Sequence, residues 1–407
     1  MKQLAILAGC LAGAAWLAAA PPAAGATGDP NRVTVIGAVD ESKLVPLALQ
    51  GFSGEVAAVL RFDLEVQGFK IVPPDNAKYI LSGKNGATVE GALQDANQAF
   101  LFNKSFNGGS QRSQAHALSD AVVESIHRIP GIGQTKIIFT KKTGARSWEV
   151  FQSDFDGHNA VALTNDKVLC VTPSWGKGNR EVFYTSYLTF AGIINPTVLR
   201  HNLDTGKRDI VARYRGLNTG AAMGSNGWLA MVLSKGGSPD VYLAPPQYDF
   251  KGDQGGGKLV RVTATEEGES SPTWSPDSQW LCFATRTNGR RWLVKKRPNG
   301  GPMFRVDTKG IHNPSEPDWS PDGKWIAFTA PGGGFNICVV PANGGEARIL
   351  VAGENPSWAP NSRTIIFTLR TGAGVNKRRL ALLDVPTKRV KLIPLEGGAA
   401  TSPAWAN

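Results

Sequence analysis

Beyond residue 133 the apolar positions come in short bursts, and four of them start seven residues after a tryptophan. They read Val182-Phe183-Tyr184-Thr185, Leu281-Cys282-Phe283-Ala284, Ile326-Ala327-Phe328-Thr329 and Ile365-Ile366-Phe367-Thr368. Runs this short, rich in β-branched and aromatic residues and bounded by turn signals, predict strands rather than helices. Ser320-Pro321-Asp322-Gly323 stands between Trp319 and its burst. Pro presets φ at the first central turn position, Asp suits the second, and Gly closes the turn. The Trp therefore lies on one strand and the burst on the next, paired as a hairpin. Turns at Asp204-Thr205-Gly206-Lys207, Asn299-Gly300-Gly301 and Asn343-Gly344-Gly345 supply a third and a fourth strand.

The unit repeats. Its signature is Pro272-Thr273-Trp274-Ser275-Pro276-Asp277, then Pro317-Asp318-Trp319-Ser320-Pro321-Asp322, then Pro356-Ser357-Trp358-Ala359-Pro360-Asn361. Weaker copies stand at Pro173-Ser174-Trp175 and Gly220-Ala221-Ala222-Met223, and a truncated one at Pro403-Ala404-Trp405. With Met223 standing in for one Trp, the steps are 48, 51, 45, 39 and 47 residues. Four strands per step at this period predict the blades of a β-propeller, and six copies predict six blades. The second copy is degenerate: it lacks the Trp, and Leu229-Ala230-Met231 comes one residue early. The last copy has no second strand, whereas Ile137-Ile138-Phe139-Thr140 is a burst with no Pro-x-Trp before it. The two pieces predict one blade assembled from both ends of the repeat region, closing the ring without an open edge.

Residues 27–132 follow another rhythm and predict a small α/β domain ahead of the propeller at 133–407. Val33–Ile36 and Leu44–Leu49 read as strands. Ser53 is placed to cap a helix with Val56, Ala57, Leu60 and Leu64 on its apolar stripe, and Gly68 ends it. Strands follow at Phe69–Val72, Tyr79–Leu81 and Ala99–Phe102. A second helix over Ser110–Ile129 turns Ala115, Leu118, Val122 and Ile126 inward, and Pro130-Gly131-Ile132-Gly133 is a hinge.

Composition adds a destination. Lys2, the apolar stretch Leu4–Ala20 and the small residues Ala24-Gly25-Ala26 predict a signal peptide over 1–26 and hence an exported mature chain. A transmembrane anchor is the alternative, which the short Ala- and Gly-rich run and Pro21-Pro22 oppose. Leu7-Ala8-Gly9-Cys10 has the form of a lipoprotein box, but the apolar run continues past it, so no lipid on Cys10 is expected. The remaining Cys170, Cys282 and Cys338 are odd in number and lack metal-ligand spacing, which predicts buried thiols, with a Cys282–Cys338 disulfide as the alternative. Net charge is −2 over residues 28–132 and +12 over 133–407. With export, that asymmetry points to an acidic protein or anionic envelope surface and away from nucleic acid.

No catalytic constellation is visible. Gly51-Phe52-Ser53-Gly54-Glu55 misses the G-x-S-x-G nucleophile elbow by one position. His116, His127, His158, His201 and His312 show no metal-ligand spacing, and no phosphate or dinucleotide loop occurs. No metal site, cofactor or catalytic residue is predicted. An exported propeller hydrolase or lyase using carboxylates at the channel mouth stays as the alternative.

In order of parts, the chain resembles the TolB family, the periplasmic propellers of the Tol-Pal system. The likeness is carried by the signal peptide, the α/β domain, the hinge and the six blades. More specific segments are Arg112-Ser113-Gln114-Ala115-His116-Ala117-Leu118-Ser119-Asp120 and Asp154-Phe155-Asp156-Gly157-His158-Asn159. Arg112, His116 and Asp120 fall on one helix face, where they either dock the two domains or meet a partner. The resemblance implies a monomeric, non-enzymatic scaffold that binds the peptidoglycan-associated lipoprotein Pal on the propeller and a Tol inner-membrane protein through the mature N-terminus, helping to maintain the outer membrane during division. It also allows calcium in the propeller channel, although the sequence identifies no ligands. The degenerate second copy and the Gly-rich loop Pro245–Gly257 depart from the family pattern.

Two sets of partner-binding residues follow. Arg32, Val33, Val35 and Ile36 resemble the family's Tol-contacting segment and suit strand addition to a partner's sheet; the alternative is an internal strand. The loops before the Pro-x-Trp strands all emerge on one propeller face. They contribute Leu217, Asn218, Thr219, Glu269, Ser270, Ser271, His312, Asn313, Ser315, Glu316, Glu354, Asn355, Thr401 and Ser402 as the expected Pal site.

Overall fold

The computed structural model describes residues 38–248 and 258–406. The segment Arg32–Ile36, the signal sequence with Cys10, and most of the Pro245–Gly257 loop lie outside the described residues. The front domain is a five-stranded sheet ordered β2-β1-β3-β4-β5, made of β1 (Val45–Gln50), β2 (Phe69–Ile71), β3 (Tyr79–Asn85), β4 (Val89–Asp95) and β5 (Phe100–Phe106). β1 and β2 are parallel and joined through α1 (Gly54–Val66), as a crossover connection requires, whereas β3, β4 and β5 form an antiparallel meander. α2 (Gln111–His127) packs beside α1, and Val56, Leu60 and Leu64 meet Leu118 and Val122 in one fully buried core.

Two local expectations needed correction. Ser53 occupies the N-cap of α1 with extended backbone, but its side chain makes no capping bond, and its N–H donates to Asn85 Oδ1 (3.0 Å). Ser110 is the working cap, accepting from Ser113 N at 3.2 Å. Strand β4 was not anticipated, because Gly91 interrupts its alternation. That glycine is what lets α2 approach: a Cβ there would lie 2.6 Å from Leu118 Cδ1.

The remainder forms six four-stranded antiparallel blades. In chain order their inner strands are Cys170–Trp175, Asn218–Met223, Glu269–Trp274, Ser315–Trp319, Glu354–Trp358 and Ala400–Trp405, for blades 1 to 6. Blade 6 has the predicted split origin. Its inner strand Ala400–Trp405 pairs antiparallel with Lys136–Lys142, Trp405 opposite Ile137, and Trp148–Asp154 and Val161–Ala162 complete it. The degenerate second copy still makes four strands, with Leu229–Leu233 entirely buried. Cys170, Cys282 and Cys338 are buried and free.

Each inner strand carries a bulge at the residue three before the Trp position. Thr172, Gly220, Ser271, Glu316, Asn355 and Ser402 all have positive φ, between 49° and 64°, and the register shifts beside each of them. Only one is glycine, so at the five others the left-handed backbone costs about 1–2 kcal/mol each. The residue just before each Trp then reaches the neighbouring blade. Ser174 Oγ donates to Ala221 O (2.6 Å), Asp318 Oδ2 accepts from Trp358 N (2.7 Å), and Ser357 Oγ accepts from Trp405 N (3.1 Å). Where that residue is alanine, the next indole bonds its carbonyl instead: Trp175 Nε1 to Ala404 O (3.1 Å) and Trp274 Nε1 to Ala222 O (3.0 Å).

Trp405 is 2 % exposed and its Nε1 donates to Thr135 Oγ1 at 2.8 Å, so the closing strand is held by side chain as well as backbone. Trp405→Ala should cost about 3–5 kcal/mol of stability, as large-to-small changes in a packed core do. Removing residues 400–407 should cost more, because it leaves an unpaired edge on each side of the gap. Urea unfolding followed by tryptophan fluorescence measures both; an unchanged midpoint for the truncated chain would mean that this strand does not hold the ring.

Candidate partner-binding face and domain junction

Every inner strand runs from one face of the propeller to the other, so the two faces are built from different parts of the repeat. The Trp end and its Ser-Pro-Asp turns lie on the face that carries the front domain. There the turn after Trp148–Asp154 enters the junction: Gly157 N donates to Asp154 O (2.9 Å), and Gly157 has φ +89°, presenting Phe155 and Asp156. Phe155 is fully buried, with its ring centroid 6.0 Å from Phe62, 5.7 Å from His116 and 6.3 Å from Trp405. One side chain thus touches both helices of the front domain and the closing strand.

Polar contacts surround that ring. Arg112 forms an ion pair with Asp156 and another with Glu55 (3.1 Å). His116 Nδ1 donates to Asp63 Oδ2 at 2.7 Å, and its Nε2 lies 3.6 Å from Asp156 Oδ2. Ser119 Oγ also donates to Asp63 (2.7 Å), and Asp120 Oδ1 accepts from Gly133 N (2.7 Å) in the hinge. Farther along, Lys391 pairs with Glu65 (2.7 Å) and Arg389 donates to Phe69 O (2.5 Å). The i, i+4, i+8 face of α2 is therefore a domain-docking face, the first of its two readings. Asp63 was missed by sequence reasoning, although an acid three residues after Leu60 on the apolar stripe of α1 is itself a signal.

The opposite face is free of the front domain, and it is where the expected Pal site was placed. The structure corrects the local geometry. Of those residues, only Leu217, His312 and Asn313 lie in loops; all the others lie within the inner strands themselves. Three are buried and internally occupied. Asn218 bonds Tyr214 N (2.8 Å) and Pro196 O (3.0 Å), and Glu269 accepts from Thr263, Thr265 and Thr285 at 2.7–3.0 Å. Glu354 is clamped by Arg370 (2.6 Å) and Arg378 (3.0 Å).

Thr219, Glu316, Asn355, Thr401 and Ser402 belong to a polar ring around the axis. Thr219 meets Thr172 (3.2 Å) and Thr185 (3.0 Å), linking blades 1 and 2. Glu316 Oε2 accepts from Thr329 Oγ1 (2.7 Å) and Asn355 N (3.0 Å), Thr401 Oγ1 donates to Asn355 Oδ1 (3.3 Å), and Ser402 N donates to Thr368 Oγ1 (3.1 Å). Ser270, Ser271 and Ser315 stand half-buried at the same level, and His312 and Asn313 are exposed. Burial raises the pKa of Glu316, and it raises that of Asp318 to about 7. Both carboxylates already accept a backbone N–H from blade 5, which gives them an inter-blade role. Among the described residues of this ring only Glu316 brings a carboxylate, and the threonine hydroxyls are engaged with one another or with Glu316 and Asn355. That donor set does not make the multi-carboxylate cage calcium favours, and no role for the ion is derived.

Residues 123–407 match the family described as PD40, TolB beta propeller domain. The Tol-Pal system protein TolB of Alcanivorax borkumensis is 27 % identical over 232 residues, which is 47 % of this chain and 53 % of that protein. TolB of Haemophilus ducreyi is 31 % identical over 144 residues, 34 % of this chain and 33 % of that protein. The chain thus spans about half or less of the curated relatives it matches. The crystal structure of TolB from Acinetobacter baumannii superposes with a TM-score of 0.79 at 20 % identity, over 92 % of this chain and 99 % of that one, which establishes a shared fold. No helix among the described residues is long and apolar enough to cross a membrane.

The junction should respond to pH. Burial pulls the His116 pKa down, but the flanking Asp63 and Asp156 outweigh it and the net shift is upward. Burial lifts Asp120 to about 7. A raised His contributes stability that is full below its unfolded pKa and lost as pH rises through the folded one. A raised Asp penalises folding increasingly as pH climbs from about 4 to about 7, the same sign. Thermal stability should therefore fall between mild acid and pH 8.5, and the slope should flatten in His116→Gln with Asp120→Asn. An unchanged slope in the double variant would place the sensitivity elsewhere.

Proposed function

The chain belongs to the TolB β-propeller family, and on that premise we propose that it is a non-enzymatic scaffold of the Tol-Pal system, exported to the periplasm. In this reading the propeller binds a Pal-like peptidoglycan-associated lipoprotein. The segment around Arg32–Ile36 meets a Tol inner-membrane protein, so that the outer membrane stays tethered during constriction. The observation that carries the reading is the division of the two propeller faces. One is occupied by the front domain through Phe155, Asp156 and Arg389, and the other offers a rigid polar rim around the axis. A partner on that rim meets side chains held by inter-blade bonds, so little ordering entropy opposes binding. The carboxylates that a propeller hydrolase would need there, Glu316 and Asp318, serve as acceptors between blades, which favours the scaffold over the enzyme.

His312 and Asn313, exposed on that rim, are the side chains to change first. His312→Ala with Asn313→Ala should weaken capture of a Pal-like lipoprotein by about 1–3 kcal/mol, with a small fall in melting temperature from the lost Asn313 Oδ1 bond to Arg291 N, which His312→Ala alone avoids. Glu269→Lys should instead destabilise blade 3, since it buries a charge without a partner among three threonine hydroxyls. Titration of the purified lipoprotein by calorimetry decides the point. Affinity of the double variant within about threefold of wild type, under ~1 kcal/mol, moves the site off this rim.

The front end gives a separate test. Deleting residues 27–36 should abolish binding to the Tol inner-membrane protein and spare capture of the lipoprotein. Loss of folding in the deletion would make Val33, Val35 and Ile36 an internal strand instead.

A further inference from the structure

The outer wall of blade 3 is strongly cationic. Between residues 286 and 309 stand eight Lys or Arg and a single acid, Asp307. They lie at the end of the second strand, Leu281–Thr287, on the third strand, Arg290–Arg297, on the outermost strand, Gly300–Arg305, and in the turn that follows. Every residue of Gly300–Arg305 is exposed, whereas the outermost strands of blades 1, 4 and 5 each bury at least one side chain. Met303 and Phe304 are 42 % and 49 % exposed in the middle of this cationic wall.

Two of the guanidiniums are held by rings rather than by carboxylates. The Arg305 guanidinium lies 3.4 Å over the Trp292 ring, Arg297 lies 4.6 Å over Trp280, and Phe304 meets Trp280 edge-on at 5.8 Å. Among the described residues, only Arg286 of the eight reaches a carboxylate, Glu267 at 3.8 Å. Stacking fixes a guanidinium without neutralising it, so the positive potential is left for a partner outside the chain. A surface with unneutralised cations at both ends, and with Met303 and Phe304 exposed on either side of its edge strand between them, matches a lipid interface. There apolar groups sink to the acyl boundary while Lys and Arg stay at the phosphates. An acidic protein would complement the charge, but it would leave Met303 and Phe304 unexplained unless it carried a matching pocket.

We propose that the outer wall of blade 3 docks on an anionic phospholipid surface, which rests on the exported location proposed above but not on any Tol-Pal contact. The wall supplies electrostatic attraction through residues such as Arg290, Arg297 and Lys309, and a shallow apolar wedge through Met303 and Phe304. The wall by itself gives reversible, peripheral association, because each cation near the surface adds only modestly.

The test is co-flotation of the chain from residue 27 onward with phosphatidylcholine vesicles, with and without phosphatidylglycerol, at low and high salt. Binding should be at least about tenfold tighter on the anionic vesicles and should weaken at high salt, as expected for several cations near a charged surface. Arg290→Glu, Arg297→Glu and Lys309→Glu together should reduce it at least about tenfold. Met303→Ser with Phe304→Ser should weaken it while preserving its salt dependence. The melting temperature of each variant verifies folding, and the charge-reversal set alters only exposed side chains. Equal binding to neutral vesicles, no binding at all, or binding unchanged by charge reversal overturns the proposal. So does loss of binding to a protein partner in the charge-reversed chain when vesicles are not bound. The Met303→Ser, Phe304→Ser variant, whose changes lie on the outermost strand away from His312 and Asn313, should capture a Pal-like lipoprotein as wild type does, so failure of the lipid site and failure of the scaffold reading give different results.

Discussion

The pairing of Ala400–Trp405 with Lys136–Lys142 is the contact on which the rest of the molecule depends. A ring of blades has no edges only when the last is complete, and here its inner strand comes from the far end of the chain. The closure also organises the domain junction. Trp405 stacks against Phe155, which packs against Phe62 and His116, so the residue that seals the ring touches the side chain that seats the front domain. Opening the ring therefore removes part of the docking surface. The two parts of the protein are coupled through one aromatic cluster rather than through the hinge alone.

The second constraint is the bulge in each inner strand. It gives up about 1–2 kcal/mol of backbone energy at each non-glycine site and turns a polar side chain toward the axis. The strain is offset by bonds between neighbouring blades, such as Asn355 N to Glu316 and Trp358 N to Asp318. A rim assembled this way is stiff, and its groups are largely committed to one another.

Charge is distributed with comparable economy. The front domain is nearly neutral, and its buried ionisable groups lie where it meets the propeller, as in His116 and Asp63, with Asp120 at the hinge. Within the propeller, residues 286–309 on the outer part of blade 3 carry eight Lys or Arg against one acid.

The sequence by itself determined the blade count, the strand grammar and the split last blade. Each of these rests on local periodicity: a Trp, a Ser-Pro-Asp turn and an apolar burst at fixed spacing restrict which hydrogen bonds the backbone can make. It also showed the α2 face of Arg112, His116 and Asp120, because helical spacing is local too. What it could not determine was which polar residues are free. Asn218, Glu269 and Glu354 look like loop residues in the chain, yet burial against Tyr214, Thr263 and Arg370 consumes them. Strand β4 was hidden because Gly91 answers to the packing of Leu118, twenty-seven positions away, rather than to its own neighbours. Asp63 became part of a site only when α1, α2 and a blade turn met around it. Local hydrogen-bond patterns are written in adjacent residues, whereas the availability of a side chain is decided by what the tertiary structure brings against it.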